Sequence, residues 1–155
     1  MNKIQPTAHQ MSESTVTLLH PFRHPSQIDD TLIAELRSLF SQHGSFPYCL
    51  AEIRNFPATL WLAPEPSDPF KALTEELVSR YPDAQPYGGG YDEIIPHLTV
   101  ADRKSADELA EITMEFRKVA SQFLPIESFA EEVTLMTRQD GFWKRITSFA
   151  LGAGD

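Results

Sequence analysis

Cysteine is nearly absent from this chain: Cys49 stands alone among 155 residues, so no internal disulfide is available. Long apolar runs are missing too. No stretch of about 18 apolar residues occurs, which excludes a membrane-spanning helix, and no membrane partner is expected. The first residues, MNKIQPTAHQMSES, carry one lysine and no apolar stretch, so they do not read as a secretory signal. A cytoplasmic location is the expectation. Positive charge is scarce, with 13 basic against 22 acidic residues and a formal net charge of −9. Coating of bulk nucleic acid needs a broad basic face and is therefore not expected. A small phosphate ligand in a locally basic cleft stays open, because a cleft's field depends on its lining.

Signature motifs are also lacking. There is no His-Glu-x-x-His, no cysteine pair and no carboxylate cluster with ligand spacing, so no metal site is expected. Gly88-Gly89-Gly90 lacks the lysine and following helix of a phosphate loop and reads as a turn, leaving ATP-driven chemistry by that route unsupported. No cofactor is expected. What remains, 41% hydrophobic and 23% charged residues, is the composition of an ordinary globular protein of single-domain size.

Read for periodicity, the chain opens with a polar, aperiodic segment over 1–14, expected to be a loose tail. Thr15–Leu19 reads as a strand stopped by Pro21. Asp29 or Asp30 caps a helix with Leu32, Ile33, Leu36, Leu39 and Phe40 on one side, closed by Gly44. Tyr48–Arg54 and Thr59–Ala63 form a strand pair around a turn at Asn55–Ala58. A second helix starts at Ser67 or Asp68, with Pro69 in its first turn and Phe70, Leu73, Leu77, Val78 and Tyr81 on its apolar face. Residues 82–90 form a loop, and Ile95–Ala101 a strand. Ser105 and Glu108 make a capping box for a third helix bearing Leu109, Ile112, Phe116, Val119, Ala120 and Phe123. Strands near Phe129–Thr137 and Phe142–Leu151 flank the turn Gln139-Asp140-Gly141. Strand–helix–strand–strand thus occurs twice. Each half is expected to make a small antiparallel sheet backed by a helix, with a binding cleft between the two lobes.

Chemistry concentrates at Pro96-His97-Leu98-Thr99. Strand alternation puts His97 and Thr99 on one face and Leu98 and Val100 on the other, toward a core. An imidazole beside a hydroxyl suits phosphate chemistry, since one titrates near neutral pH and the other hydrogen-bonds a phosphate oxygen. Taken alone, a His-x-Thr is more often a half-exposed strand histidine without a role. The repeat shifts that balance: the matching strand reads Thr15-Val16-Thr17-Leu18-Leu19, with Thr17 where Thr99 stands and Thr15 where His97 stands.

TVTLLHPF and PYGGGYDEIIPHLTVAD, with AEIRNFPATLWLAPEPSDPFKALTEELVSRYPDAQPYGG between them, resemble the two-histidine (2H) phosphoesterase superfamily in its 2'-5' RNA ligase-like branch. The likeness runs from about Thr15 to Leu151. It implies an α+β fold of two small antiparallel-sheet-plus-helix lobes, related by a pseudo-repeat, around a central cleft, with 15–155 as a single domain and a monomer as the working state. Members have a strand and helix before the first motif, so either this lobe is reduced or the natural start lies upstream. The likeness also implies a metal-independent cyclic phosphodiesterase, with 2'-5' ligation as its reverse, whose partner is a small nucleotide or RNA-end phosphodiester.

In the family one motif histidine is general base and the other general acid. Here Thr15 fills the first slot, and a hydroxyl that does not titrate near neutral pH replaces neither role. Losing such a catalyst costs about 10²–10⁴-fold in rate. His97 is then the surviving acid/base group, with Thr99 and Thr17 as donors to phosphate oxygens and Thr15 beside the substrate. Arg54 resembles a recurrent basic residue of the branch, its bland alternative being a surface arginine. Tyr87 and Tyr91 flank the glycines, to stack on a base or to pack a rim. One of Lys144 and Arg145 should face the cleft if the last strand lines it. His9, His20, His24 and His43 are poor substitutes by position. Two rivals stay open: a nucleotide- or phosphate-binding protein that keeps the cleft without turnover, and a scaffold with no ligand.

Overall fold

Each helix begins where a short polar side chain or a proline can start it. Asp29 accepts from the Leu32 amide and opens α1 (Asp30–Ser41), as its spacing predicts. Proline in the first turn opens α2 (Asp68–Arg80). Ser105 and Glu108 exchange side-chain-to-backbone hydrogen bonds at the head of α3 (Ala106–Ala120), the reciprocal box expected there. These elements belong to a computed structural model that describes residues 2–7, 16–19, 22–84 and 95–152. The strands are β1 (Asn2–Thr7), β2 (Phe46–Phe56), β3 (Thr59–Glu65), β4 (Leu98–Ala101), β5 (Ile126–Ala130), β6 (Glu132–Gln139) and β7 (Phe142–Ala150).

All the named strands pair antiparallel, in two sheets of order β4-β3-β2-β5 and β1-β6-β7. The α+β class and the two helix-backed sheets stand as expected, but their membership does not follow the halves of the chain. β5 crosses from the second half to pair with β2, Phe46 opposite Ala130, and β1 pairs with β6, Asn2 opposite Thr137. The loose-tail reading of 1–14 is corrected for Asn2–Thr7: a sheet edge offers backbone donors and acceptors that pair a segment with no strand pattern of its own. The strand expected at Thr15–Leu19 is not one over its described part. Val16, Leu18 and Leu19 are buried, Leu19 carries an isolated bridge rather than a strand ladder, and the Leu18 carbonyl accepts from the Thr74 hydroxyl at 2.8 Å.

One core joins the layers. Leu32, Leu36, Leu39 and Phe40 of α1 and Phe70, Leu73 and Leu77 of α2 pack with Leu50, Leu62 and Leu98 of one sheet and Val133, Leu135 and Phe149 of the other. Gly44, expected to close α1, instead bridges in parallel to Gly152, while Gln42 caps the helix. A Cβ at Gly152 would collide with the Ser41 carbonyl, so only glycine permits this approach. The Asp140-Gly141 turn has both residues at positive φ, 53° and 81°, the geometry that matches strand twist in a two-residue hairpin. On α3 only part of the expected face is covered: Leu109 and Ala120 are buried, whereas Val119 and Phe123 are exposed.

Candidate functional site

Pro96 has no amide hydrogen to give a ladder, so β4 begins only at Leu98, and Ile95–His97 runs irregularly into it. Leu98 opposes Leu62 and turns into the core, as alternation predicts. Val100 does not. The β3–β4 register shifts between Leu60 and Trp61, so Val100 is the extra residue of a bulge and is 37% exposed.

That register builds one face. Trp61 stands opposite Arg54 on β2 and opposite Thr99 on β4. The His97 ring meets Trp61 edge-on at 5.7 Å and Phe56 at 5.2 Å, and Phe56 stacks on Trp61 at 4.7 Å. The Arg54 guanidinium lies 5.8 Å from the Trp61 ring. Three expected site residues, His97, Thr99 and Arg54, thus gather about a single indole, with Thr99 and Arg54 exposed and His97 half-buried. Thr17 is half-buried within the Val16–Leu19 segment. Thr15, Tyr87, Tyr91 and His20 lie outside the described residues.

The imidazole is oriented. His97 Nδ1 lies 2.7 Å from the Ile95 carbonyl, which can only accept, so Nδ1 carries the hydrogen. In the neutral ring Nε2 is then the nitrogen with the lone pair. Arg54 donates to Glu52 at 2.9 Å; this hydrogen bond first, and the opposite charge with it, lowers the Glu52 pKa and raises that of Arg54. Both side chains are more than half exposed, so the pair orders the guanidinium without adding much stability.

Beside His97 lies a cavity of about 270 Å³ between β3 and the head of α2, lined by Arg54, Trp61, Ala63, Pro64, Glu65, Ser67, Lys71, Ile95 and Pro96. A sequence model of the 2'-5' RNA ligase superfamily matches residues 15–142, spanning both motif segments and this face. The chain belongs to that superfamily. The fold agrees: LigT of E. coli with bound 3'-AMP superposes with a TM-score of 0.58 at 15% identity, covering 95% of this chain and 82% of LigT. A protein of Thermus thermophilus gives 0.56 at 18% identity, over 97% and 83%. A structure described as a phosphoesterase gives 0.56 at 15%, over 96% and 82%. No curated protein sequence matches the chain.

The superfamily reading of the sequence named His97, Thr99 and Arg54, which share this face, and did not name Trp61, Phe56, Ser67 or Lys71, which lie beside them. A four-residue turn at Asn55–Ala58 places Thr59 opposite Arg54. The real turn is Pro57-Ala58, with Phe56 opposite Thr59, and it slides Trp61 into that place. Trimming the turn would have revealed the indole.

Proposed function

We propose that this superfamily member binds a nucleotide or RNA-end phosphodiester and opens 2',3'-cyclic phosphates slowly, without metal. The observation that carries the reading is the His97 ring, fixed through Nδ1 so that Nε2 is its proton-exchanging atom, on a face shared with Thr99 and Arg54. Opening the ring requires water to attack phosphorus while one phosphorus–oxygen bond breaks, and one proton passes overall from the water to the leaving ribose oxygen. His97 Nε2 takes the proton from the attacking water. With Thr15 in the other slot, the leaving oxygen takes its proton from solvent, which makes the step slow. Thr99 and Thr17 donate to the phosphate oxygens, Arg54 offsets their charge, Thr15 and Tyr87 contact the substrate, and ligation is the same attack made by the 5'-hydroxyl of a second RNA end in place of water. We place this activity in one unit, 15–155 together with the β1 strand that pairs with β6, working as a monomer in the cytoplasm.

The ligand class has support from the fold neighbours, since LigT has been seen with 3'-AMP, with ATP and with NADP+. Calorimetry with 3'-AMP in chelator tests it. Binding should weaken in His97→Ala by roughly 10–100-fold, the worth of a hydrogen bond to a charged group. Tight binding indifferent to that change moves the site elsewhere. Tight binding with no turnover of a 2',3'-cyclic nucleotide favours the rival that Thr15 suggests, a binding protein that keeps the site and has lost the reaction.

A further inference from the structure

We propose that the cavity between β3 and the head of α2 is a second-phosphate subsite, taking a phosphomonoester carried by the same nucleotide that His97 engages. The inference rests on the functional reading above and extends it to substrate class: nucleotides or RNA ends with an additional terminal phosphate.

Lys71 is the first reason. It sits within the opening turn of α2, where the helix dipole already presents its positive end and a cation is disfavoured. It is half-buried on the cavity wall, and the ion pairs among the described residues are Arg23–Asp83 and Arg54–Glu52, so Lys71 has no acidic partner among them. A second anion-seeking group lies beside it. Ser67, the residue before the helix, makes no side-chain capping bond and has helical backbone angles, and Pro69 has no amide hydrogen. The amides of Asp68 and Phe70 therefore have no intrahelical acceptor at that end. Dipole and amides together suit an anion.

An independent observation comes from β3. Trp61 forms another wall and is 3% exposed, and its indole Nε1–H is buried without an acceptor. Buried donors are almost always paired, and an orphan at a cavity wall is accounted for by a partner that arrives with a ligand. Of the two cations that line the cavity, Arg54 is held by Glu52, and Lys71 is the one left to meet an incoming anion. The cavity also adjoins the reacting group. Ile95 lines it and accepts from His97, and Trp61 touches both. One nucleotide spans the two.

The test titrates the full chain with adenosine 3'-phosphate and adenosine 3',5'-bisphosphate in chelator. In the unmodified protein the bisphosphate should bind at least tenfold tighter. Lys71→Gln should bring the two affinities to within about twofold of each other, Lys71→Arg should restore most of the difference, and Lys118→Gln on α3 should leave the ratio as it was. Equal affinities in the unmodified protein, or a preference that survives Lys71→Gln, overturns the subsite. If adenosine 3'-phosphate binds and weakens in His97→Ala while no bisphosphate preference exists, only the subsite falls. If neither compound binds, the functional reading falls with it.

Discussion

Thr15 stands two residues before Thr17 as His97 stands two before Thr99, and one atom type separates the slots: an imidazole nitrogen against a hydroxyl oxygen. Restoring the nitrogen should restore a proton relay. Thr15→His is expected to raise turnover of a 2',3'-cyclic nucleotide by at most about 10²–10⁴-fold. The pH–rate profile should gain a second limb, because a second titrating group joins the step. A variant that folds, binds nucleotide and shows the original rate would remove Thr15 from the reaction. Thr99 was legible at this scale from strand alternation, and His97, just ahead of the strand, from the two-letter motif. Lys71 was not. Its meaning lies in the absence of a partner, and absence of a contact has no signature in sequence.

Between elements, one phenol adds a hydrogen bond to the packing of α1 against α2. Tyr81, at the end of α2, donates to Glu35 of α1 at 3.1 Å, meets Phe22 edge-on at 5.3 Å and carries the Arg23 guanidinium 4.8 Å from its ring. Burial, and after it the Glu35 hydrogen bond, pushes its pKa from 10.0 up to about 12. A raised value means the folded state holds the proton more tightly than the unfolded chain. This contribution is therefore fully present below about pH 10 and lost as pH rises toward about 12. Thermal unfolding should show the loss, and Tyr81→Phe should lack that part of the pH dependence while costing about 1 kcal/mol at neutral pH for the missing hydrogen bond. Identical slopes in the two proteins would place the alkaline sensitivity elsewhere. Helix heads and the Asp140-Gly141 hairpin were readable because caps and turn residues act locally. The β2–β3 register was not, since a two-residue difference in turn length displaces every cross-strand neighbour.

Across the whole molecule, stability rests on the core shared by α1, α2 and both sheets. Leu36, with no exposed surface, lies in it, and Leu36→Ala should cost about 2–5 kcal/mol in denaturant unfolding. A loss under about 1 kcal/mol would mean the core is not the continuous one described. Element order and class could be read from periodicity. Sheet membership could not, because antiparallel partners are chosen by long-range geometry and the chain's repeat points to pairing within halves. The exchange of strands between halves has a consequence in time. β2 waits for β5 and β1 for β6, so most of the chain must be synthesised before either sheet can close. Such contact order makes folding slow. While it lasts, the amphipathic β2–β3 hairpin presents an open edge to other chains, and high temperature or rapid expression should expose that interval as aggregation of the nascent protein.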